Sequence, residues 1–465
     1  MFIGREQEVH SLRNRPRNGR ARLIAVYGRR RVGKTALIEH AFEKEAFWKF
    51  EGLEGGSSRE QIRHFLHTLG TYTTISSQIA KSITTWQKAL SALYEALPDK
   101  PITILFDEFQ WMAGMRKPLV SIFKWAWDNY FSKQSHCQFV LCGSVSSFIV
   151  KKVIQSTALY GRIDLEINLK PLTVREMALL IGPLWTRADI LEAYFVFGGI
   201  PQYALEMDTT KSLVQNIQQL GFTPNGFFVR EFQRLFISHF GRNAGYARML
   251  TSLSRKQTQS IEELAKAVKL STGGTFTHLL EDLELAGFIH RSAPVDRKSK
   301  GRLLRIQLLD EFLFFYFTFI EKNLKSIDAG TIQPFSLLTG QPFDQWKGYA
   351  FERLCTRNAY DIARKLEFSG IQYHFGSFFR NNSAPGAQID LVFIRADNVA
   401  TVCEIKYVNR LSGSIIEEFE TKLAVFSTYW KHGVQKVLVL GKKIAVPKAV
   451  TDYFNAILFA EDIFF

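Results

Sequence analysis

The sequence predicts an α/β protein with several domains. Within residues 1–170, short apolar runs alternate with helical patterns, which is typical of a doubly wound sheet covered by helices on both faces. The length of 465 residues corresponds to about three domains. A composition with 46% hydrophobic and 22% charged residues excludes a largely disordered chain.

Five strands are expected in the first domain, at residues 22–27, 46–50, 102–106, 138–142 and 164–169. The cysteines that bound the run CQFVLC, Cys137 and Cys142, are spaced to lie on opposite faces of a strand. Together with Cys355 and Cys403 they are too few and too scattered for a disulfide framework or a zinc site. We therefore expect reduced thiols in a cytoplasmic protein.

The rest of the chain divides into three segments. Residues 171–245 have helical periodicity. Residues 246–333 contain a helix, a turn and a second helix, followed by a basic segment with strand character. Residues 334–465 open with a linker-like stretch at 334–342, reopen with a helix at 346–360 and continue into strands.

The charge balance indicates the class of partner. There are 59 Lys and Arg against 44 Asp and Glu, a formal charge of +15, which favours an acidic polymer or a membrane surface. The longest apolar stretch, residues 312–320, is too short for a membrane-spanning helix, which needs about 20 residues. Because an amphipathic anchor and a signal peptide are also lacking, we expect nucleic acid as the partner, with no membrane association.

A phosphate-binding loop is predicted between the first strand and the helix after it. Residues 28–35 read GRRRVGKT and match the pattern G-x-x-x-x-G-K-[ST]. Backbone N–H groups of such a loop turn towards phosphate oxygens, and the helix N-terminus adds positive potential. Lys34 would reach the β- and γ-phosphates, while the Thr35 hydroxyl would bind Mg²⁺. The predicted nucleotide-binding residues of the loop are Gly28, Arg29, Arg30, Arg31, Val32, Gly33, Lys34, Thr35 and Ala36.

The second half of this site is predicted at the ends of the neighbouring strands. Asp107 follows the apolar run ITILF and would complete the Mg²⁺ shell, and Glu108 would polarise the attacking water. Ser144, after the fourth strand, either senses the γ-phosphate or only ends the strand. Arg162, before the fifth strand, is either an arginine finger in cis or in trans, or an ordinary surface arginine.

The motifs FIGRE, GRRRVGKT, LFDEFQW, CGS, LYGR and GGIPQYA together resemble the archaeal-type ATPase family of AAA+/STAND-like P-loop proteins. The resemblance covers the first two predicted segments. It implies a five-stranded parallel P-loop core with a helical lid at residues 171–245. It also implies binding of ATP or ADP, rather than guanine nucleotides, and hydrolysis of ATP.

Residues 246–333 are similar to a winged-helix module. In that comparison residues 273–286 form the recognition helix, and the basic residues of the wing, which would contact phosphates, are Arg297, Lys298, Lys300 and Arg302. Three acids of the helix would repel phosphates, namely Glu281, Asp282 and Glu284. Contact with DNA would therefore use the first turn of the helix or the wing. A solvated loop on a packing domain is the alternative.

Two acids and a lysine converge in a predicted C-terminal hairpin. Pairing of apolar strands about Asp397 brings Asp390 opposite Glu404, with Cβ atoms about 5 Å apart, and Glu404 and Lys406 share one strand face. Adjacent carboxylates favour a shared cation. We therefore predict that Asp390 and Glu404 bind Mg²⁺ or Mn²⁺ and that Lys406 orients or deprotonates water. A surface Glu–Lys pair is the alternative interpretation.

The order of these residues, after an upstream helix that carries Glu352, resembles the PD-(D/E)XK nuclease superfamily. It also resembles the nuclease-like domain of unknown function that is often fused to archaeal-type ATPases. The resemblance covers residues 343–465 and implies a restriction-endonuclease-like α/β domain. By position, Glu352 corresponds to the helix acid, Asp390 to the metal-binding Asp, and Glu404 with Lys406 to the E-x-K pair. The proline that usually precedes the Asp is absent.

The sequence thus predicts an ATP-hydrolysing protein associated with nucleic acid, preferably DNA, whose nucleotide state gates a metal-dependent nuclease-like domain. The alternative is an ATP-dependent switch whose C-terminal domain is a non-catalytic binding platform for protein or nucleic acid. Assembly into a homo-oligomer would allow Arg162 to act in trans.

Overall fold

The first part of the chain forms a five-stranded parallel sheet. The computed structural model describes residues 2–14, 19–74, 77–116, 118–240, 243–256, 258–295, 304–380 and 387–465. The strands lie in the order β2-β3-β4-β1-β5. They are β1 (Arg22–Tyr27), β2 (Ala46–Glu51), β3 (Ile102–Asp107), β4 (Cys137–Gly143) and β5 (Leu165–Asn168). The predicted α/β class is confirmed, and each predicted strand end lies within one residue of the observed one.

Helices cover both faces of this sheet. They are α1 (Glu6–Arg13), α2 (Lys34–Ala41), α3 (Ser58–Tyr72), α4 (Ser77–Ser82), α5 (Trp86–Ala96), α6 (Phe109–Met112), α7 (Pro118–Asn129) and α8 (Ser146–Phe148). Strands β3 and β4 are buried along their whole length, as parallel strands between two helical layers must be. Cys137 and Cys142 enter different apolar cores, as their spacing predicts, and all four cysteines are free and buried.

Five helices follow the sheet. They are α9 (Val174–Ile181), α10 (Arg187–Phe197), α11 (Pro201–Leu205), α12 (Leu213–Gly221) and α13 (Glu231–Phe240). Thr173, Thr186 and Ser212 begin three of them with a capping box, in which the N-cap hydroxyl and the N3 side chain satisfy each other's backbone N–H groups. The predicted helical character of this segment is therefore observed.

The next segment contains three helices and a small antiparallel sheet with the order β6-β8-β7. Its elements are α14 (Ala244–Arg255), β6 (Thr258–Ser260), α15 (Ile261–Val268), α16 (Gly274–Leu285), β7 (Ile289–Ser292) and β8 (Arg305–Leu308). The basic residues predicted on the wing lie outside the described residues: Arg297, Lys298, Lys300 and Arg302. The winged helix therefore stays a prediction.

The predicted recognition helix α16 packs against the ATPase core. Lys151 of the core contacts Glu281 at 3.2 Å and Asp282 at 3.0 Å, and Glu284 pairs with Arg291. Each of the three acids that would repel DNA thus contacts a basic residue within the protein, and Glu281 and Asp282 share Lys151. This face of α16 is an internal contact, and the predicted contact of the first turn or the wing with DNA stays a prediction.

The apolar stretch at residues 312–320 is buried in the larger core, in α17 (Glu311–Phe315) and the π-helical turn Tyr316–Ile320 that follows it. Within the described residues, every helix is too short or too polar to cross a membrane. The predicted linker at 334–342 instead continues the helical structure. After α18 (Leu324–Asp328) comes α19 (Pro334–Thr339), because proline is favoured in a first helical turn and Leu338 has a buried position to fill.

The C-terminal domain is a mixed sheet with the order β13-β12-β11-β10-β9. Its elements are α20 (Gln341–Arg357), α21 (Ala359–Lys365), β9 (Tyr373–Arg380), β10 (Ala387–Arg395), β11 (Val399–Lys406), α22 (Ile415–Phe426), β12 (Gly433–Leu440), α23 (Lys448–Tyr453), β13 (Ala456–Phe459) and α24 (Ala460–Phe464). In the β10–β11 hairpin, Leu391 is opposite Cys403 and Val392 is opposite Val402. This is the register about Asp397 that the sequence predicts.

Polar contacts join this domain to the helices after the first sheet. Glu192 of α10 accepts a hydrogen bond from the Tyr407 hydroxyl at 2.7 Å. The ammonium groups of Lys347 and Lys442 lie 3.4 and 3.6 Å from the same carboxylate. One continuous apolar core also runs from β1 through α10 and α17 to α20. Hydrogen bonds, ion pairs and a shared apolar core therefore connect the two sheets.

Candidate functional site

The loop after β1 encloses the ammonium group of Lys34. Its Nζ atom donates to the backbone carbonyls of Gly28 and Arg29 at 3.1 and 2.9 Å, and the residue is buried. Gly28 has a φ of +152°, and a Cβ atom there would lie 2.4 Å from the carbonyl oxygen of Leu169, so only glycine fits. The cation is thus held in a loop that leads into the N-terminus of α2, which favours phosphate.

Thr35, Asp107 and Glu108 meet at the carboxyl end of β3. The Thr35 hydroxyl donates to Oδ2 of Asp107 at 2.7 Å, and the backbone N–H of Glu108 donates to Oδ1 at 3.0 Å. Asp107 is buried. A hydroxyl and a carboxylate are oxygen donors of the kind that Mg²⁺ prefers, so this pair fits a magnesium ion bound with nucleotide phosphates. The structure therefore brings together the four residues that the sequence assigned to the phosphate site.

The carboxylate of Glu108 is held by two neighbours. The Ser144 hydroxyl donates to Oε2 of Glu108 at 2.7 Å, because β3 and β4 are adjacent and end at the same edge. The side-chain amide of Gln110 donates to the same oxygen, and to Ser144 Oγ at 3.2 Å. Ser144 thus lies at the site rather than only ending a strand. Gln110 was missed by sequence reasoning, since nothing local marks it as different from any buried helix residue.

Lys49 of β2 is a second residue that sequence reasoning missed. Its Nζ atom lies 3.7 Å from Oδ2 of Asp107 and 3.3 Å from a carboxylate oxygen of Glu39. Partial burial lowers the pKa of Lys49, but the two carboxylates outweigh that effect and the pKa is raised overall. A second ammonium therefore stands beside the carboxylate that would take part in magnesium binding.

The side chains of Arg29 and Arg31 point away from the loop into the rest of the protein. Arg29 forms a buried ion pair with Asp310 and stacks on Phe288 at 4.5 Å. Arg31 lies 2.7 Å from Glu231, which is fully buried. The predicted nucleotide contacts of these two arginines are thereby limited to their backbone, because both guanidinium groups already have buried partners.

Arg162 does not approach the phosphate loop of its own chain. It precedes β5, whose first residue pairs with Ile24 near the start of β1, whereas the loop follows the end of β1. Its guanidinium group forms a bidentate pair with Asp128, with distances of 2.7 and 3.0 Å. The structure therefore contradicts a finger that acts in cis.

The C-terminal domain gathers a second group of charged residues, the C-terminal cluster: Glu352, Asp390, Glu404, Lys406 and Lys422. Burial, followed by the neighbouring charge of Asp390, raises the pKa of Glu352 to about 8. Burial also raises the pKa of Asp390. These acids come from α20, β10 and β11, so the helix and the hairpin converge as the resemblance implied.

Glu404 is the centre of this cluster. It is 3% exposed, and its carboxylate accepts hydrogen bonds from Lys422 of α22 at 2.8 and 2.7 Å. Lys406 lies 3.0 Å from Oε1 of the same carboxylate. Lys422 was missed because it lies on a helix outside the E-x-K motif.

The cluster fits a metal ion less well than the phosphate loop does. Asp390 and Glu404 supply carboxylate oxygens, but both oxygens of Glu404 already bind an ammonium group. In the described ranges, groups of three or more His, Cys, Asp or Glu side chains arranged to hold a metal ion are absent. A metal at Asp390 and Glu404 would therefore have to displace Lys422.

Comparisons with known proteins find two separate family matches in the chain. Residues 2–207 match the family described as an ATPase domain predominantly from Archaea, and residues 316–434 match a family of archaeal and bacterial proteins of unknown function. An uncharacterized protein of Methanocaldococcus jannaschii is 23% identical over 456 residues, which is 96% of each chain. An uncharacterized ATP-binding protein of the same organism is 44% identical over 45 residues, covering 10% of this chain and 76% of that protein.

Two solved structures are similar over most of their own length. A Walker-type ATPase of Pyrococcus abyssi is 20% identical with a TM-score of 0.48, covering 68% of this chain and 96% of that one. The ORC2 protein of Aeropyrum pernix is 13% identical with a TM-score of 0.43, covering 71% of this chain and 95% of that one.

Proposed function

We propose that this ATP-binding P-loop ATPase associates with nucleic acid, DNA in preference, and that its nucleotide state controls a nuclease-like site in the C-terminal cluster. The observation that carries the proposal is that one chain contains both the phosphate loop and the C-terminal cluster, with the buried ion pairs of Arg29 with Asp310 and of Glu311 with Arg353 between them. The formal charge of +15 supports a polyanionic partner. A role of Arg162 as an arginine finger in trans would require release of its guanidinium group from the bidentate pair with Asp128.

ATP hydrolysis follows from the positions of the loop residues. Lys34 and the backbone amides of residues 28–36 bind the β- and γ-phosphates. Thr35 and Asp107 would hold magnesium, which would supply positive charge to the same phosphates. Glu108 orients the attacking water and takes its proton, while Ser144 fixes the Glu108 carboxylate through the 2.7 Å hydrogen bond.

In the nuclease-like site, Asp390 and Glu404 are the residues that would hold Mg²⁺ or Mn²⁺. The ion would supply charge to a phosphodiester. Burial lowers the pKa of Lys406, but its carboxylate neighbours, above all Glu404, raise it overall, so Lys406 would orient water as an ammonium group. Glu352 of α20 lies near enough to Asp390 for their charges to interact. The support for these roles is the order of the residues in the sequence and their convergence in the fold.

A path of ion pairs leads from the phosphate loop to this cluster. Arg29 pairs with buried Asp310. The next residue, Glu311, is also buried and contacts Arg353 at 2.8 Å, and Arg353 is adjacent to Glu352 on α20. Removing one partner of such a buried pair is costly, so we infer that the two pairs keep the loop and α20 in a fixed relation when the loop moves. This supports control of the cluster by the nucleotide.

The binding platform is the second candidate function, and the contacts of Lys422 favour it. Because the ammonium group of Lys422 contacts both oxygens of Glu404, this carboxylate already has a cationic partner from the protein itself. In that case the C-terminal domain would bind nucleic acid or protein without cutting, and only the ATPase would be catalytic.

Cleavage assays separate the two candidates. Purified protein is incubated with labelled duplex DNA, single-stranded DNA and RNA, with Mg²⁺ or Mn²⁺ and with ATP or ADP. We expect nucleotide-dependent cleavage by the wild type and by Asp397→Ala, an acid in the same hairpin, but none by Asp390→Ala. Binding without cleavage by all three proteins would support the platform, and absence of both binding and cleavage would contradict any role of the C-terminal domain on nucleic acid.

Hydrogen exchange tests the coupling. A non-hydrolysable ATP analogue is expected to change the exchange of α20 in the wild type. Asp310→Asn keeps the helix-capping hydrogen bond to the Leu313 N–H but loses the charge that pairs with Arg29, and it should abolish the change in α20 while the analogue still binds. Arg187→Gln, at an exposed ion pair, is the matched control. An unchanged response in Asp310→Asn would contradict the path.

A further inference from the structure

We propose that Lys422 is the resident cation of the C-terminal cluster. In this assignment its ammonium group occupies the place at Glu404 that a divalent metal would take, and a metal enters only by displacing it. The inference rests on the proposed function in one respect only, namely that the C-terminal cluster is a functional site. The contacts that carry it do not depend on whether the cluster cuts nucleic acid.

The first support is the geometry at Glu404. One ammonium group engages both carboxylate oxygens, at 2.8 and 2.7 Å, as a bidentate metal ion would. Glu404 is almost fully buried, whereas Lys422 keeps a quarter of its side chain exposed. The Lys422 side chain therefore extends from the surface helix α22 to the buried Glu404, and it can leave this contact towards the solvent.

The second support is the charge of the cluster. Asp390 is close enough to both Lys422 and Lys406 to be influenced by their positive charges, and Lys406 also lies 3.0 Å from Glu404. At Glu404 itself, two ammonium groups thus face one carboxylate, so its charge is compensated without a metal. Buried carboxylates that already have cationic partners attract a further dication weakly, because its charge is opposed by the ammonium groups.

The third support is the contrast with an ordinary surface pair in the same domain. Lys436 has a similar exposed fraction and contacts Glu420 at 2.9 Å, but through one oxygen of a half-exposed carboxylate. Lys422 differs because its partner is buried and is the residue that the motif assigns to metal binding. Lys436 is therefore a matched control for any effect of removing a lysine from α22 or its neighbouring strand.

Direct Mn²⁺ binding tests the inference. Free Mn²⁺ is measured by electron paramagnetic resonance during titration of the full chain, without nucleotide. Lys422→Met is expected to bind Mn²⁺ at least about tenfold more tightly than the wild type, since a competing charge-assisted contact is removed. Lys422→Arg, which keeps the charge, and Lys436→Met should bind like the wild type. Adding Asp390→Asn to Lys422→Met should abolish the gain, which locates the ion.

Thermal unfolding establishes that each variant is folded. Should methionine disturb folding, Lys422→Gln removes the charge while it keeps a hydrogen-bond donor, and the same gain is expected. Equal Mn²⁺ affinity in the wild type and in the neutral variants, or weaker binding in the variants, would overturn the inference. Because the ion itself is measured, absence of nuclease activity would refute the proposed function without affecting this result.

Discussion

The phosphate loop and the C-terminal cluster use the same residue types but place their charges differently. At the loop, Lys34 donates to backbone carbonyls, and Asp107 pairs with the neutral hydroxyl of Thr35. In the cluster, Lys406 and Lys422 bind directly to Glu404. The first arrangement leaves the lysine and the acid ready for a phosphate and its metal, whereas the second neutralises the acid from within the chain.

The largest effect is expected at the phosphate loop. Glu108→Gln should lower the rate of ATP hydrolysis by about 10³-fold, because the general base is lost, while ATP affinity is retained. Phosphate release and calorimetry measure the two quantities. Glu51→Gln, an exposed acid at the end of the neighbouring strand β2, should hydrolyse ATP normally. A Glu108→Gln enzyme with wild-type turnover would show that the loop site lacks the assigned base.

The connection between the two sites is expected to matter for stability. Glu311→Gln leaves the Arg353 guanidinium group without its buried partner and should lower the free energy of unfolding by about 3 kcal/mol. Glu461→Gln breaks an exposed pair with Arg187 and should cost less than about 1 kcal/mol. Denaturant unfolding compares the two variants. Equal losses of unfolding free energy would mean that the Glu311–Arg353 pair is no stronger than an exposed surface ion pair.

The C-terminal cluster should give the protein a pH-dependent stability. The folded-state pKa of Glu352, about 8, lies above the ordinary value of 4.5, so the folded state holds a proton that the unfolded state has released between these values. Stability should therefore fall with rising pH across this window, by up to about 1.4 kcal/mol per pH unit. Glu352→Gln should flatten the decline. An unchanged slope in unfolding measurements between pH 5 and 8 would contradict the burial of this acid.

The smallest effect is expected for Lys49, the counterpart of Lys422 at the phosphate loop. Its ammonium group is 3.7 Å from Asp107 and shared with Glu39. Lys49→Met should therefore change Mn²⁺ affinity of the ATP-loaded protein by less than about threefold, as for a loose ion pair. A tenfold change in Mn²⁺ affinity would mean that Lys49 competes at Asp107 as strongly as Lys422 is proposed to compete at Glu404.

Local patterns explain why much of the fold could be predicted. The strands of the first sheet are apolar runs bounded by turns, and the GRRRVGKT loop lies between one of them and a helix. The hairpin register followed from the symmetry about Asp397, because strand pairing next to a tight turn leaves little freedom. Asp390 and Glu404 could therefore be placed near each other before the structure was known.

The contacts that could not be predicted join residues far apart in the sequence. No pattern around Arg29 or Arg31 indicates that their partners are Asp310 and Glu231, since any buried acid of a later domain would serve. Lys422 looks like any helical lysine. The position of Arg162 was different. A residue before a parallel strand lies at the edge opposite the phosphate loop, so the predicted strands already argued against the role in cis that the sequence analysis left open.

Calorimetric titration with ATP and Mg²⁺ tests the central claim most directly, namely that Lys34, Thr35, Asp107 and Glu108 form one triphosphate site. The account predicts one equivalent of ATP bound by the wild type and at least about a tenfold loss of affinity in Lys34→Ala. Absence of binding by the wild type, or equal affinity in Lys34→Ala, would contradict it.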